Sequence, residues 1–397
     1  MSFIVTPKIL LPIKSIDMKK WAVIACDQFT SEPEYWDELK SIVDNVPSTY
    51  HLILPEAYLE SNMNHNISRV NQMMDSYLRH NLFEEHEGFI LVERKTPFVK
   101  RRLGLVIAID LEEYQYEPNK IGKIRATEKT VPERIPPRVK IREKAPIELP
   151  HILVLVDDAK DLIVKDLYHN KKRYELLYDF DLNMNGGHIK GFKINDTKPI
   201  IKRIEALSTD ISLIVGDGNH SLASAKVCWE NIKKTLPEEE LIDHPARYAL
   251  VEMISLYDEG LTFEPIHRVL FNVDDTIISG LKSLLDGEEE LTLIYKNKEE
   301  KISVPSNPFT TIKIIQDYLD EYLRQHKHAE IDFVHGLQNT KNVVAKNENS
   351  IGITMPPLKR DMLLPYIREF GVLPRKSFSL GEAEEKRYYL EGKRILK

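Results

Sequence analysis

The residues Gly216-Asp217-Gly218-Asn219-His220-Ser221 combine the types that handle a phosphate or a carboxylate. An apolar run, Ile211 to Val215, precedes them and reads as a buried strand. An alanine-rich stretch, Ser221 to Val227, follows and reads as a helix start. A strand that breaks through glycine into a helix aims several backbone N–H groups at one spot, and the helix dipole adds partial positive charge there. Asp217 and His220 stand beside that spot as a base, an acid or a ligand. The plain structural alternative is a capped strand-to-helix turn, because Asp-Gly is a common turn and a polar residue after it a common cap.

A second group of chemistry-bearing residues lies between Lys120 and Lys144, where nine Lys or Arg stand against three Glu. Arg125, Arg134 and Arg138 carry planar guanidinium groups suited to phosphate or carboxylate oxygens. Glu128 sits among these cations, which should keep it ionised. Pro132, Pro136 and Pro137 restrict the loop, so an ordered anion clamp competes with a solvated basic surface. A third set is acidic. Asp27, Asp157-Asp158 and Asp217 each follow an apolar strand-like run, and would converge at one sheet edge if those strands ran side by side and parallel. Two carboxylates there could share Mg²⁺ with phosphate oxygens. His267-Arg268 matters only if its strand lies beside the Asp217 turn. Arg375 and Lys376 could reach an anion, and Phe378 could stack.

These groups must be positioned by elements that the pattern supplies. Trp21 to Cys26 reads as a buried strand, and Ser31-Glu32-Pro33-Glu34 as a capping box before a helix from Tyr35 to Val43. A longer helix is expected over about 62–80. The runs 89–92 and 103–109 flank a turn containing Pro97 and read as an antiparallel hairpin. Residues 122–150 read as a long ordered loop with at most one short helix. His151 to Val156 and Tyr248 to Ile254 read as strands, and Lys193 to Leu207 as a helix. Beyond Asn272 come a strand at 291–295 and helices at 312–326 and 363–370. Hairpins mixed with strand–helix units point to an α+β fold with a mixed sheet. A boundary near residue 270 divides the chain into 1–270 and a smaller α+β part, 271–397.

Composition narrows the function classes. Of the 397 residues 42% are hydrophobic and 29% charged, which is ordinary for a globular chain, and the net charge of -7 argues against a nucleic-acid binder. Cys26 and Cys228 are the only cysteines, so a disulfide framework or zinc ribbon is excluded; Cys26 is expected to be buried and inert. No run approaches the ~18 apolar residues of a membrane span, and no signal-peptide layout opens the chain. A cytoplasmic protein is therefore expected. GxGxxG after a strand, GxxxxGK[ST], HExxH and GxSxG are all absent.

Several strings together resemble an uncharacterised family, the domain of unknown function 1015. They are Trp21-Ala22-Val23-Ile24-Ala25-Cys26-Asp27-Gln28-Phe29, Arg125-Ala126-Thr127-Glu128, Glu133 to Arg138, Glu148 to Ile152, Asp217 to Ser221 and Leu373 to Phe378. The resemblance runs along nearly the whole chain and by itself implies no reaction. A more remote one does. The strand–Asp-Gly-x-His-x–helix unit is similar to the phosphate-binding box of the ParB/sulfiredoxin superfamily, which includes free-serine kinases with Asp-Gly-Thr-His-Arg. Gly218 and His220 match that box. Asn219 stands where sulfiredoxins have cysteine, so their redox chemistry does not carry over. Ser221 stands where the boxes close with arginine, and Arg268, Arg125 or Arg134 would have to replace it. Other branches of the uncharacterised family carry His-Glu-x-Thr at Thr127-Glu128-Lys129-Thr130, which favours Glu128 as a working residue.

The resemblance thus implies a ParB/sulfiredoxin-like N-terminal core and a nucleotide-dependent phosphotransferase acting on a small hydroxylated metabolite, such as serine or phosphoserine. Glu128, Asp217 and His220 would be catalytic. Gly218, Asn219, Ser221, Arg125, Arg134, Arg138, His267 and Arg268 would bind phosphate or nucleotide. Mg²⁺ with ATP or ADP is the expected cofactor, with no dedicated metal ligands in the chain. The partner would be a small phosphate compound or nucleotide, not nucleic acid or membrane. The competing expectation is a non-catalytic nucleotide- or anion-binding regulator.

Overall fold

The computed structural model describes residues 2–30, 32–59, 62–118, 120–207, 210–296 and 298–396. The chain divides into two compact units. One comprises residues 1–126, 130–261 and 382–397; the other comprises 127–129 and 262–381. A cut at residue 270 would fall inside the strand Phe263–Phe271, which belongs wholly to the second unit. The last segment returns to the first unit because its short strands pair there: Tyr388–Tyr389 with Val23–Ile24, and Lys393–Arg394 with Ile147–Glu148.

The first unit is built on a mixed sheet. Its strands run in the order Glu175–Asp181, His188–Ile194, Phe89–Lys95, Arg102–Asp110, Tyr248–Ser255, Leu153–Val156, Leu213–Asp217, Ile124–Ala126 and Tyr114–Gln115, with Ile4–Val5 also on Arg102–Asp110. The central strands are mostly apolar and buried along nearly all their length, which suits strands covered on both faces. Leu153–Val156 lies parallel to Tyr248–Ser255 but antiparallel to Leu213–Asp217. The expected hairpin forms, with Phe89–Lys95 and Arg102–Asp110 antiparallel. Trp21, by contrast, ends a short helix, Met18–Trp21, and only Val23–Ile24 is strand. Ser31, the expected cap, lies outside the described residues; the helix Pro33–Val43 starts from Glu32 with proline at its first position.

Two buried features tie the returning C-terminal segment to the sheet. Arg387 donates to Glu252 (2.8 Å) and to Glu391 (2.7 Å), so its buried charge is matched on both sides. Gly104 makes this possible, because a Cβ there would lie 2.2 Å from a Glu252 carboxylate oxygen. The indole N–H of buried Trp21 donates to the carbonyl of Leu390 at 2.9 Å.

The segment expected as a long loop is more ordered than its composition suggests. It contains the strand Ile124–Ala126, a 3-10 turn Pro132–Arg134 and the helix Ile135–Arg142. That helix packs on Asn219–Lys233. The helix expected from Lys193 starts only at Lys198, since Lys193 and Ile194 still belong to the strand His188–Ile194.

The second unit is an antiparallel sheet ordered Lys298–Val304, Glu289–Tyr295, Ile351–Ile353, Phe263–Phe271 and Glu330–His335, with Phe378–Leu380 also on Phe263–Phe271. The helices Thr276–Leu284, Pro308–Gln325, Leu337–Lys346 and Arg360–Phe370 accompany it. Together the two units are α+β, with parallel and antiparallel pairs in the larger sheet. Among the described residues no helix is long and apolar enough to cross a membrane.

Candidate functional site

The strand Leu213–Asp217 breaks at Gly218, and the helix Asn219–Lys233 begins at the next residue. Gly218 has φ +81, in the left-handed region, and an added Cβ would lie 3.0 Å from the Ile152 side chain and 3.1 Å from its Cα. Only glycine fits both the conformation and the space. Asp217 accepts the Gly218 N–H at 2.9 Å and pairs with the ammonium of Lys386 at 3.1 Å. Asn219, His220 and Ser221 form the first turn of the helix, at the positive end of its dipole.

His220 is oriented by the basic segment. The N–H of Val131 donates to His220 Nε2 at 3.1 Å, so a neutral ring carries its proton on Nδ1. Any hydrogen bond that His220 donates therefore leaves from Nδ1. Ser224 holds the backbone below, donating to the His220 carbonyl at 2.7 Å.

Ser221 leads to residues that the sequence reading passed over. Its Oγ lies 3.0 Å from His151 Nε2. His151 Nδ1 lies 2.9 Å from the Tyr389 hydroxyl, and that hydroxyl donates to Cys26 Sγ at 3.0 Å. The Tyr389 oxygen also accepts the Cys26 N–H at 3.2 Å. Cys26 is half-buried in a turn just past the strand Val23–Ile24, rather than buried within it, and desolvation pushes its thiol up to about 11, which keeps it protonated. Asp27 is the charged member of this group. Burial alone would raise its carboxyl, but His151, the Gln28 amide, Lys386 and Arg138 outweigh it and hold the group below the usual range.

The three strand-end acids therefore do not converge. Leu153 pairs with Asp217 across an antiparallel ladder, so Asp157-Asp158 lie at the opposite edge of the sheet from Asp217. Asp158 caps a loop there, accepting the N–H groups of Leu162 and Ile163 at 2.8 Å each, and Asp157 accepts the Tyr257 hydroxyl at 3.0 Å. The antiparallel pairing brings His151, two residues before its strand, beside the glycine turn instead. Asp27 and Asp217 do share a neighbourhood, with Lys386 as their common cation.

The candidate arginines divide. Arg138 pairs with Glu56, and both side chains are mostly buried. Arg134 is exposed on the 3-10 turn, and its carbonyl accepts from Arg138 at 2.9 Å. Arg125 is buried, with its guanidinium clasping the carbonyls of Glu117 (3.0 Å), Pro118 (3.1 Å) and Lys120. It is a staple for its own loop rather than a hand extended to a ligand.

Glu128, His267 and Arg268 fold with the second unit and find their partners there. The Glu128 carboxylate accepts the N–H groups of Lys376 (2.9 Å), Ser377 (2.9 Å) and Phe378 (3.4 Å). Burial nevertheless pushes its carboxyl up, against the pull of Lys376 and those three donors. The basic turn near the C-terminus thus meets an anion within its own unit. Arg268 is fully buried and donates to the carbonyls of Ile266, Lys376 (2.8 Å) and Arg375 (3.4 Å) and to the Gln316 side chain (3.2 Å). Burial lowers its guanidinium to about 10. His267 Nδ1 accepts the Met355 N–H at 3.1 Å. Their strand, Phe263–Phe271, pairs with Glu330–His335, Ile351–Ile353 and Phe378–Leu380, not with Leu213–Asp217. Phe378 lies against Phe263, with ring centroids 5.2 Å apart.

No set of three or more His, Cys, Asp or Glu with metal-holding geometry occurs among the described residues. Lys386 already supplies positive charge between the acids of the first unit. Tyr389 and Lys386 carried no motif signal, and His151 entered only as part of the string Glu148 to Ile152. Each is held beside the turn by a partner more than sixty residues away in sequence.

Comparison with known proteins gives a family and a set of remote structural likenesses. The family model described as "Protein of unknown function (DUF1015)" matches residues 10–349. No curated protein matches the chain by sequence. A conserved hypothetical protein from Pyrococcus furiosus is 12% identical, with 70% of this chain and 90% of that one covered and a TM-score of 0.38. A free serine kinase in complex with AMP is 10% identical, with 71% and 90% covered and a TM-score of 0.41. SbnI with a C-terminal truncation, from Staphylococcus aureus, is 9% identical, with 73% and 87% covered and a TM-score of 0.41. At such scores neither a shared ligand nor a shared reaction follows.

Proposed function

The chain belongs to the DUF1015 family, and we propose that it is a nucleotide-dependent phosphotransferase working in the cytoplasm on a small hydroxylated metabolite, with serine or phosphoserine the first substrates to try. One observation carries this reading: a glycine in the left-handed conformation turns a buried strand into a fifteen-residue helix. Lys386 and a histidine with a fixed acceptor side are gathered beside that turn. Phosphoryl transfer asks mainly for positioning and for charge that meets charge developing on oxygen, and this arrangement offers both.

Residues 218–221 cradle the phosphate at the helix start. His220 donates to a phosphoryl oxygen through Nδ1. Asp217, paired with Lys386, accepts the proton of the attacking hydroxyl. Arg138 and the exposed Arg134 offset transition-state charge. Arg125, Arg268, His267 and Glu128 are left with structural roles. Mg²⁺ would arrive with ATP or ADP, bound chiefly by phosphate and water, with Asp217 or Asp27 as its protein oxygen.

The regulatory alternative has its own support. Ser221 stands where a phosphate box would close on arginine, and the Lys386–Asp217 pair already neutralises the base. A nucleotide screen separates the two. A ligand at ~100 times its dissociation constant stabilises the native state by about 2.7 kcal/mol. Stabilisation by ATP or ADP, with serine-dependent ADP release abolished in Asp217→Asn, supports the enzyme. Stabilisation without turnover supports the regulator. No shift with any phosphate-bearing compound removes both.

A further inference from the structure

We propose that Ser221 and His151 form a nucleophile–base pair, in which Ser221 Oγ receives a phosphoryl group covalently before it is passed on. This deepens the phosphotransferase reading and rests on it for the donor, but the pair itself is defined by geometry alone.

Three features of the first unit support it. Ser221 Oγ lies 3.0 Å from His151 Nε2, within the reach that a serine nucleophile needs from its base. Second, the other side of the imidazole is fixed. The Tyr389 hydroxyl has one proton, which it directs to Cys26 Sγ, and its oxygen accepts the Cys26 N–H. The contact with His151 Nδ1 at 2.9 Å is then donated by the ring. A neutral imidazole with its proton on Nδ1 presents a bare Nε2 to the serine hydroxyl, which is the tautomer that proton abstraction requires. Third, Asp27 is held ionised next to His151, so an imidazolium formed there has an anion to meet. His151 is buried and Ser221 half-buried, so the base is shielded while the hydroxyl is reachable. Ser221 also occupies the first turn of a long helix, where charge building on phosphoryl oxygens is favoured.

The chemistry balances. Ser221 Oγ attacks the terminal phosphorus of a phosphoanhydride donor. The Oγ–P bond forms, the bond from phosphorus to the bridging oxygen breaks, and the electron pair leaves with the nucleoside diphosphate. The Oγ proton passes to His151 Nε2 and is held there. The acceptor hydroxyl next attacks phosphorus, giving its proton to Asp217 and from there to solvent, while the Ser221–phosphorus bond breaks and Oγ takes its own proton back from His151.

The pair can be tested without any nucleotide. The full chain is treated with diisopropyl fluorophosphate, whose phosphorus loses fluoride to an activated serine, and adducts are mapped by peptide mass spectrometry. One adduct is expected, on Ser221 and not on buried Ser224. His151→Ala should slow its formation at least about 100-fold, and Tyr389→Phe about tenfold. His151→Gln, which keeps bulk and polarity, serves if the alanine variant does not fold. No adduct at Ser221, or one formed equally fast in a folded His151 variant, overturns the proposal. A second arm uses ATP. Phosphate on the Ser221 peptide supports both readings. Folded Ser221→Ala that still transfers phosphate to serine at the wild-type rate overturns the covalent step and leaves the phosphotransferase standing. His151-dependent labelling with no nucleotide bound or consumed overturns the nucleotide reading and leaves the pair standing.

Discussion

Two clusters, one in each unit, treat charge in opposite ways. In the second, Arg268 and Glu128 are satisfied almost wholly by backbone: carbonyls around the guanidinium, N–H groups around the carboxylate. In the first, Asp217, Lys386, His151, Tyr389 and Ser221 are satisfied largely by one another's side chains. Backbone partners cannot move without refolding, so a charge they saturate is a strut. Side-chain partners can exchange protons or yield to a ligand, so the same residue types there can do chemistry. Residue type and loop composition made Arg125, Arg268 and Glu128 look like ligand-binding groups; in the fold each is engaged by neighbouring backbone groups.

The most severe break of this contrast is Arg268→Met. It strands several buried carbonyls and should destabilise the second unit by on the order of 3–5 kcal/mol, measured by urea denaturation. Ligand-induced stabilisation below that transition should survive; its complete loss would show that Arg268 is more than a strut. Gly218→Ala comes next. It forces alanine into a left-handed turn against Ile152, at a cost of about 1–2 kcal/mol, and should abolish any nucleotide-induced rise in Tm. Lys386→Met should be milder, weakening phosphate or nucleotide binding about tenfold, or about 1.4 kcal/mol, by calorimetric titration. An unchanged affinity would take the lysine out of the site.

The smallest effect is also the sharpest comparison. The Glu128 carboxyl is raised in the folded state, so its contribution is complete below its ordinary value of 4.5 and is lost as pH rises through the folded value. The Asp27 carboxyl is lowered, so its contribution is complete above 3.8 and is lost as pH falls through the folded value. The stability gap between wild type and Glu128→Gln should therefore narrow as pH rises from 4.5. The gap to Asp27→Asn should narrow as pH falls from 3.8. Gaps that move the same way would erase the distinction.

Much of the fold was legible because it depends on local pattern. The glycine turn after Val215, the hairpin around Pro97 and the long helix near residues 63–79 all follow from apolar period and turn chemistry. Strand direction was not legible. Nothing in His151 to Val156 says that it runs against Leu213–Asp217, and that one sign decides whether Asp157 or His151 lies beside the turn. Tyr389 and Lys386 were invisible for a related reason: a two-residue strand, Tyr388–Tyr389, paired with residues more than three hundred and sixty positions earlier, has no periodicity to detect. The surroundings of Arg125 were not legible because clustered cations look alike in a string, whether they face solvent or clasp their own carbonyls.

The path of the chain has a consequence for how the protein is made. Residues 262–381 are interposed before the final segment that carries Lys386 and Tyr389. At about 5–20 residues per second, translating the intervening ~120 residues takes roughly 6–24 s. Throughout that interval the nascent larger unit holds Ser221 and His151 without the tyrosine that sets the imidazole's tautomer. A chain stalled before residue 382 would thus leave buried Glu252 without its arginine and His151 without its tyrosine, so core and proton relay alike are completed only with the final stretch of synthesis.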